Sequence, residues 1–406
     1  MSKIHRGSTG TDGEPLSAGR VEYLEAARQR VRSRRLRRTI ILVAALTLFI
    51  LFATGVAGSS IARAKDLVDS VHIAMTPSVG WPQQTGLADL TAVKAMSGSF
   101  VAMDKDACVV YSARGSRLAN IQSGYARPAL AAGKTRFVLY NRSGNELRVE
   151  SRTQNLYTKT LEDAIYLCAM SDAGKLAVAT DSTDSAARLT VYSSSMQELL
   201  HWDMTSEQGT PVRMDFSADS RRLAVAAVTS NAGQLQANLY VLNLSQGDPV
   251  QLGSENSVPQ WLGWVGNDTV LVVYENYAVL YNAGGGERAR YEFGGGTLVS
   301  VSDTDSGIAM LLENGQVCTA VLLDKKLNVQ YSGNVLSAHQ IVRAQDGFYL
   351  LTDSTVEVFN NAGEFQWNQD FAVKPQALLA GKQTLVLCGN TVQLLTPPEP
   401  AASSAS

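Results

Sequence analysis

The residues of this 406-residue chain best suited to bind a metal or move a proton near neutral pH are its four histidines: His5, His72, His201 and His339. None has a companion at ligand spacing such as His-x-x-x-His, and His201 and His339 stand far apart in the sequence. There is no Gly-x-Ser-x-Gly elbow to expose a serine nucleophile, and no Walker or dinucleotide glycine pattern between a strand and a helix. The paired carboxylates Asp104 with Asp106 and Asp303 with Asp305 could serve as general acid and base, but glycoside hydrolysis needs two carboxylates at a fixed separation. Both pairs fall in turns, where an Asp side chain accepts bonds from the backbone just after it. Cys108, Cys168, Cys318 and Cys388 lie inside apolar, strand-like runs without any Cys-x-x-Cys, which is the setting of buried free thiols. Trp81, Trp202, Trp261, Trp264 and Trp367 could stack on sugars, but such aromatics more commonly fill gaps between packed elements. The sequence therefore assigns no catalytic, cofactor-binding or metal-binding residue.

What would have to position any site is a set of short strands that recur. Residues 212–216, a Ser-Ala-Asp-Ser turn and residues 223–226 make a two-strand unit; residues 166–170, a Ser-Asp-Ala-Gly turn and residues 176–179 repeat it. A later hairpin follows in each unit, as at residues 279–286 and 358–367, with short polar turns that contain glycine. Units begin near Leu90, Tyr125, Ala164, Pro211, Val258, Gly296, Leu336 and Lys374, a spacing that suits one four-stranded propeller blade each. The expectation is an all-β, closed β-propeller over residues 75–398 with eight blades. Seven remains open, because Pro128 weakens the first strand of the second unit.

The last unit contains only three strands before Pro397 and Pro398 end the sheet. A segment ahead of the first unit, residues 78–84 with Trp81, can supply the missing outer strand and close the ring without an exposed edge. Trp81 is then the ring-closure residue. Trp202 and Trp367 occupy comparable places late in the outer strands of other units.

Residues 39–62 are 24 consecutive residues without a charged side chain. As a helix at about 1.5 Å per residue they reach roughly 36 Å, enough to cross a ~30 Å hydrocarbon layer. Arg28, Arg30, Arg32, Arg34, Arg35, Arg37 and Arg38 crowd just before this run, and only Arg63 and Lys65 follow closely. The positive-inside rule then places the N-terminus in the cytoplasm and the propeller outside it, with these arginines as topology determinants. A cleaved signal peptide usually has a shorter apolar region and a shorter leader, so an uncleaved anchor is the better reading.

The net charge of −2 hides an asymmetry: up to Arg63 there are 11 Lys/Arg and 4 Asp/Glu, and the remainder of the totals, 35 and 37, leaves 24 basic and 33 acidic residues beyond it. An acidic exported part repels phosphates, which argues against nucleic-acid binding.

The Ser-x-Asp-x-x-x-Leu-Ala-Val pattern at residues 217–225 resembles TolB-like and WD-repeat propellers, and the hairpin at residues 361–367 resembles a quinoprotein-type blade. The whole layout is similar to an uncharacterised family of single-pass, membrane-anchored bacterial propeller proteins. That resemblance implies a fold and a layout; it implies no activity and no cofactor.

The expected organisation is a basic cytoplasmic tail (1–38), a transmembrane helix (39–62), a linker (63–74), the propeller (75–398) and a disordered tail (399–406). The expected function is a binding or scaffolding module anchored in the cytoplasmic membrane, with a protein or cell-envelope ligand. The alternative is a propeller hydrolase or lyase acting on envelope glycans or peptides. Perturbed carboxylates gathered at one mouth of the channel would favour that alternative.

Overall fold

The computed structural model describes residues 56–335 and 337–398. Its strands form eight four-stranded antiparallel sheets, and the first strands of successive sheets lie beside one another around a central axis. This is an eight-bladed propeller. Blade 2 is complete despite its proline: Pro128 opens the strand Pro128–Ala132, where a missing N–H is tolerated, and pairs with Asn141.

Each blade runs outward from the axis through strands a, b, c and d. Blades stack face to face, so both faces of the b and c strands are covered and the period-two pattern disappears. The b strands Ser99–Met103, Leu176–Thr180 and Thr269–Val273 are buried at every residue. The d strands, such as Phe365–Asp370, alternate between exposed and half-buried residues, as expected of an outer rim with one wet face. Because the strands are antiparallel, a–b and c–d turns emerge on one face of the ring and b–c and d–a connections on the other.

The eighth blade joins the two ends of the domain. Its a, b and c strands are Pro375–Leu379, Leu385–Cys388 and Thr391–Leu394, and its d strand is Gln83–Gln84. The register is Gln83 with Val392 and Gln84 with Thr391. This strand is shorter than residues 78–84, because Pro82 has no N–H to give to a ladder. Trp81 lies just outside it and packs on blade 1, with ring centroids 6.0 Å from Phe100 and 6.1 Å from Tyr111.

Ahead of the ring, helix α1 spans Val56–Met75. Residues 63–74, expected as a linker, are therefore helical. They contain no glycine or proline, and the helix stops just before Pro77. The arginine cluster and residues 39–55 of the apolar run lie outside the described residues, as does the tail from residue 399. Among the described residues no helix is long and apolar enough to cross a membrane.

Candidate functional site

The a–b and c–d turns build the face of the ring with the most concentrated chemistry. Residues 62–75 of α1 lie on this face over blades 1 to 3. Asp66 Oδ1 is 2.9 Å from Arg136 Nε, and Asp69 Oδ2 is 3.0 Å from Arg152 Nε. Arg136 opens the b strand of blade 2 and Arg152 sits in its c–d turn; both guanidinium groups are almost fully buried. Of their remaining donors, Arg136 Nη1 donates to Ser194 O and Nη2 to Ala62 O, while Arg152 Nη1 donates to Ser97 O and Nη2 to the Ser70 hydroxyl of α1. Thr135 and Thr153 hydroxyls donate to the same two carboxylates. The helix is thus held on blade 2 by charge-assisted bonds, the stronger kind, and the same two arginines reach on to the turns of blades 1 and 3.

The chain then crosses blade 1 at close range. Gly115, at φ +88°, lies so near that a Cβ there would stand 2.2 Å from Gly80 O, so only glycine fits at this turn. Gly80 N donates to Arg114 O, and Ser116 Oγ donates to Pro77 O.

On the opposite arc of the same face, the turns of blades 6, 7 and 8 enclose a cavity of about 680 Å³. Arg343, at the end of the a strand of blade 7, contributes to its floor; Phe348 and Phe359, stacked at 5.0 Å, contribute to its wall.

The central channel holds the most perturbed carboxylate. Asp215, on the a strand of blade 4, is pushed up to about 7 by burial, against backbone bonds from Phe216 and Trp264 and the nearby Lys94. Lys94 belongs to blade 1, three blades away, and can act on Asp215 only across the channel. Burial also pushes Asp303 in blade 6 up to about 6, against Lys325 and with Asp305. Neither carboxylate is among the charges acting on the other, so they do not form an acid and base pair. Asp104 does turn chemistry, accepting from the backbone N–H groups of Ala88, Asp106 and Ala107.

The structure disperses the histidines. His201 is exposed beside Glu198 at 3.0 Å, and His339 Nε2 lies 2.9 Å from Pro375 O, joining blades 7 and 8. Among the described residues no group of three or more His, Cys, Asp or Glu is arranged to hold a metal ion. The four cysteines are buried and unpaired. Trp261 and Trp264 point to opposite sides of their strand into different core clusters, and Trp202 meets Tyr240 of blade 4 edge-on at 5.2 Å. What sequence reasoning missed were Asp66, Asp69, Arg136, Arg152 and Arg343. The spacing of Ala62, Asp66, Asp69 and Ile73, one stripe along a helix, was the available signal.

Fold and face together define an eight-bladed β-propeller protein with an N-terminal helix docked on its turns. DUF5711, a family of unknown function, matches residues 77–393, and the chain belongs to it. Comparison with curated proteins gives no match. Among solved structures, BamB from Moraxella catarrhalis is similar at 12% identity and a TM-score of 0.51, covering 78% of this chain and 97% of that one. The C-terminal WD40 domain of Sif2 is similar at 12% identity and 0.55, covering 79% and 99%. Sqt1 from Chaetomium thermophilum, solved bound to the N-terminus of the ribosomal protein L10, is similar at 10% identity and 0.53, covering 79% and 99%. At these identities the likeness is one of fold.

Proposed function

We propose that this protein is a membrane-anchored, extracytoplasmic propeller that acts as a binding or scaffolding module for a protein or cell-envelope ligand. The observation that carries this reading is the docking of α1. The helix that follows the apolar N-terminal run is ion-paired to the propeller through buried arginines, so the ring is tied directly to the segment that an upstream anchor would lead into. The arginine cluster before residues 39–62 and the acidic exported part support an orientation with the propeller outside. Sqt1 bound to a protein N-terminus is an instance of this scaffold holding a peptide segment.

The hydrolase or lyase reading retains one supporting observation, the raised pKa of Asp215. It lacks a second group acting with it.

Two measurements test the proposal. Protease added to intact spheroplasts should digest or release the part after Lys65 and leave a small N-terminal fragment protected; a protected propeller would overturn the orientation. Crosslinking of the full-length protein in its native membrane, followed by recovery, should yield a discrete partner, and repeated recovery of the protein alone would count against the binding module.

A further inference from the structure

Helix α1 has two sides, and the propeller covers one of them. Ala62, Asp69 and Ile73 are buried against the ring, and Asp66 beside them pairs with Arg136. At about 3.6 residues per turn the opposite side of the helix carries Ala64, Leu67, Val68, Val71, Ala74 and Met75, all of them exposed. Leu67, Val68, Val71 and Met75 are 67%, 69%, 52% and 79% exposed, and Val79, just past the helix, is 64% exposed. Elsewhere among the described residues the exposed large apolar side chains are scattered; here five fall within residues 67–79. Single exposed apolar residues need no explanation, but a strip of them marks a contact surface.

The charges around the strip identify what covers it. Asp66 and Asp69 are the only carboxylates in residues 64–79, and both are turned to the ring, where Arg136 and Arg152 answer them. The strip keeps a cation at each end. Lys65 is exposed at its start, and Arg114 of blade 1 is exposed at its finish, donating from Nη1 to Ala74 O at 3.3 Å. An aliphatic strip between cations suits the interface of a bilayer that contains anionic lipid, with the apolar side chains in the acyl boundary and the cations among the head groups. A second copy of the helix would offer the same apolar contacts but no counter-charge for either cation.

The position of α1 in the chain agrees with this. The helix starts at Val56, inside the uncharged run of residues 39–62. Residues 39–55 alone, as a helix, would reach roughly 25 Å, the short end of what crosses a bilayer, so α1 is not needed to complete a span and can lie along the surface.

We propose that the outward side of α1, from Ala64 to Val79, is a membrane-contact surface that turns the a–b and c–d face of the propeller toward an anionic lipid bilayer. The proposal rests on the membrane-anchored reading and names the surface that the anchored ring lays on the lipid. The b–c and d–a face then points away from the membrane.

The test places a fluorophore on the full-length protein. All four native cysteines are buried, so a single introduced cysteine takes an environment-sensitive label selectively. Val71→Cys and Met75→Cys report on the strip, and Leu235→Cys, beside the b–c turn of blade 4 on the other face, is the control. In nanodiscs of phosphatidylcholine and phosphatidylglycerol holding one copy each, both strip labels should shift to the blue. Nitroxide-bearing lipids should quench them severalfold more than the control. Omitting phosphatidylglycerol should reduce that quenching, as should Lys65→Glu. Leu67→Glu combined with Val68→Glu, at exposed positions and with folding checked by its melting profile, should bring the Met75→Cys label down to the control. Quenching at the strip no greater than at the control, or indifferent to phosphatidylglycerol, would overturn the proposal. So would labels that are shielded from aqueous iodide yet not reached by the nitroxide lipids, a result that would mean protein covers the strip. If the chain does not enter the discs, the anchor reading fails by itself. The same labelled proteins mixed with vesicles of the two lipids then decide the surface: quenching at the strip upholds it, and no quenching overturns it.

Discussion

Arg152 Nε lies 3.0 Å from Asp69 Oδ2, with side-chain exposures of 2% and 5%. Two opposite charges this far from water are held by each other and by their remaining bonds, so removing one leaves the other without compensation. Asp69→Ala should destabilise the protein by about 3–5 kcal/mol, while Asp69→Leu combined with Arg152→Met should cost much less. Chemical denaturation of the two variants checks this. Equal losses in both would mean that the helix docks through its apolar contacts instead. Hydrogen exchange of residues 62–75 should accelerate in Asp69→Ala whichever way the global stability moves.

Blade count was legible because the repeat is physical. Each unit needs a b strand buried on both faces, and runs such as Leu176-Ala177-Val178-Ala179 announce that in any blade. The helix dock was not legible in the same way. Its stripe of Ala62, Asp66, Asp69 and Ile73 mixes acids with apolar residues, so a search for hydrophobic periodicity passes over it. Its arginine partners lie 70 and 83 residues away, and nothing local in Arg136 or Arg152 indicates that it will be buried. Arg343 was hidden for a related reason: its neighbours at the cavity come from three blades.

Stability should rise on mild acidification. Asp215 is pushed up to about 7 and Asp303 to about 6, in each case chiefly by burial. A carboxyl whose pKa is higher when folded than when unfolded takes up protons on folding between the two values. Its unfavourable contribution is absent below about pH 4, grows through the window from about 4 to 7 and is complete above it. Unfolding free energy should therefore fall between pH 5 and pH 8, and Asp215→Asn should flatten part of that slope by up to a few kcal/mol. A slope of opposite sign, or one unaffected by the substitution, would show that Asp215 is ionised at little cost.

The cysteines should be silent in the native protein. Burial pushes Cys108 up to about 12 and Cys168 well above the ordinary thiol range. The thiolate is the reactive form, and a buried thiol is also out of reach. A chromogenic disulfide reagent at pH 8 should label none of the four before denaturation and all four after it. Fast labelling of one in the folded state would point to local opening at that strand.

Closure of the ring depends on a strand of only two residues, Gln83–Gln84, laid against Thr391–Leu394. So short a ladder is a weak clasp by itself, and what surrounds it must hold it in place. Tyr111 Oη donates to Gln84 O at 2.7 Å, Arg117 Nη2 donates to the same oxygen, and Thr85 N and Oγ1 both donate to Asn390 O. Trp81, half-buried on Phe100 and Tyr111, adds its Nε1 bond to Ala113 O at 3.3 Å. Trp81→Ala should cost about 2–3 kcal/mol, below the 3–5 of a fully buried Trp because part of the ring is already in water. Removing everything before Ala88 should cost considerably more. It deletes α1 with both ion pairs, and it leaves Thr391–Leu394 as an open edge able to pair with another molecule. The two effects separate in a third protein that keeps α1 and replaces Gln83 and Gln84 by prolines, which removes the ladder donors and fixes φ at both positions. Because these prolines also remove the Gln83 Nε2 bond to Gly80 O, the reference is Gln83→Ala with Gln84→Ala, and relative to it the proline variant should melt lower and self-associate on size exclusion while α1 stays protected from exchange. If it remains monomeric with an unchanged melting temperature, the packing around Trp81 closes the ring and the two-residue ladder contributes nothing measurable.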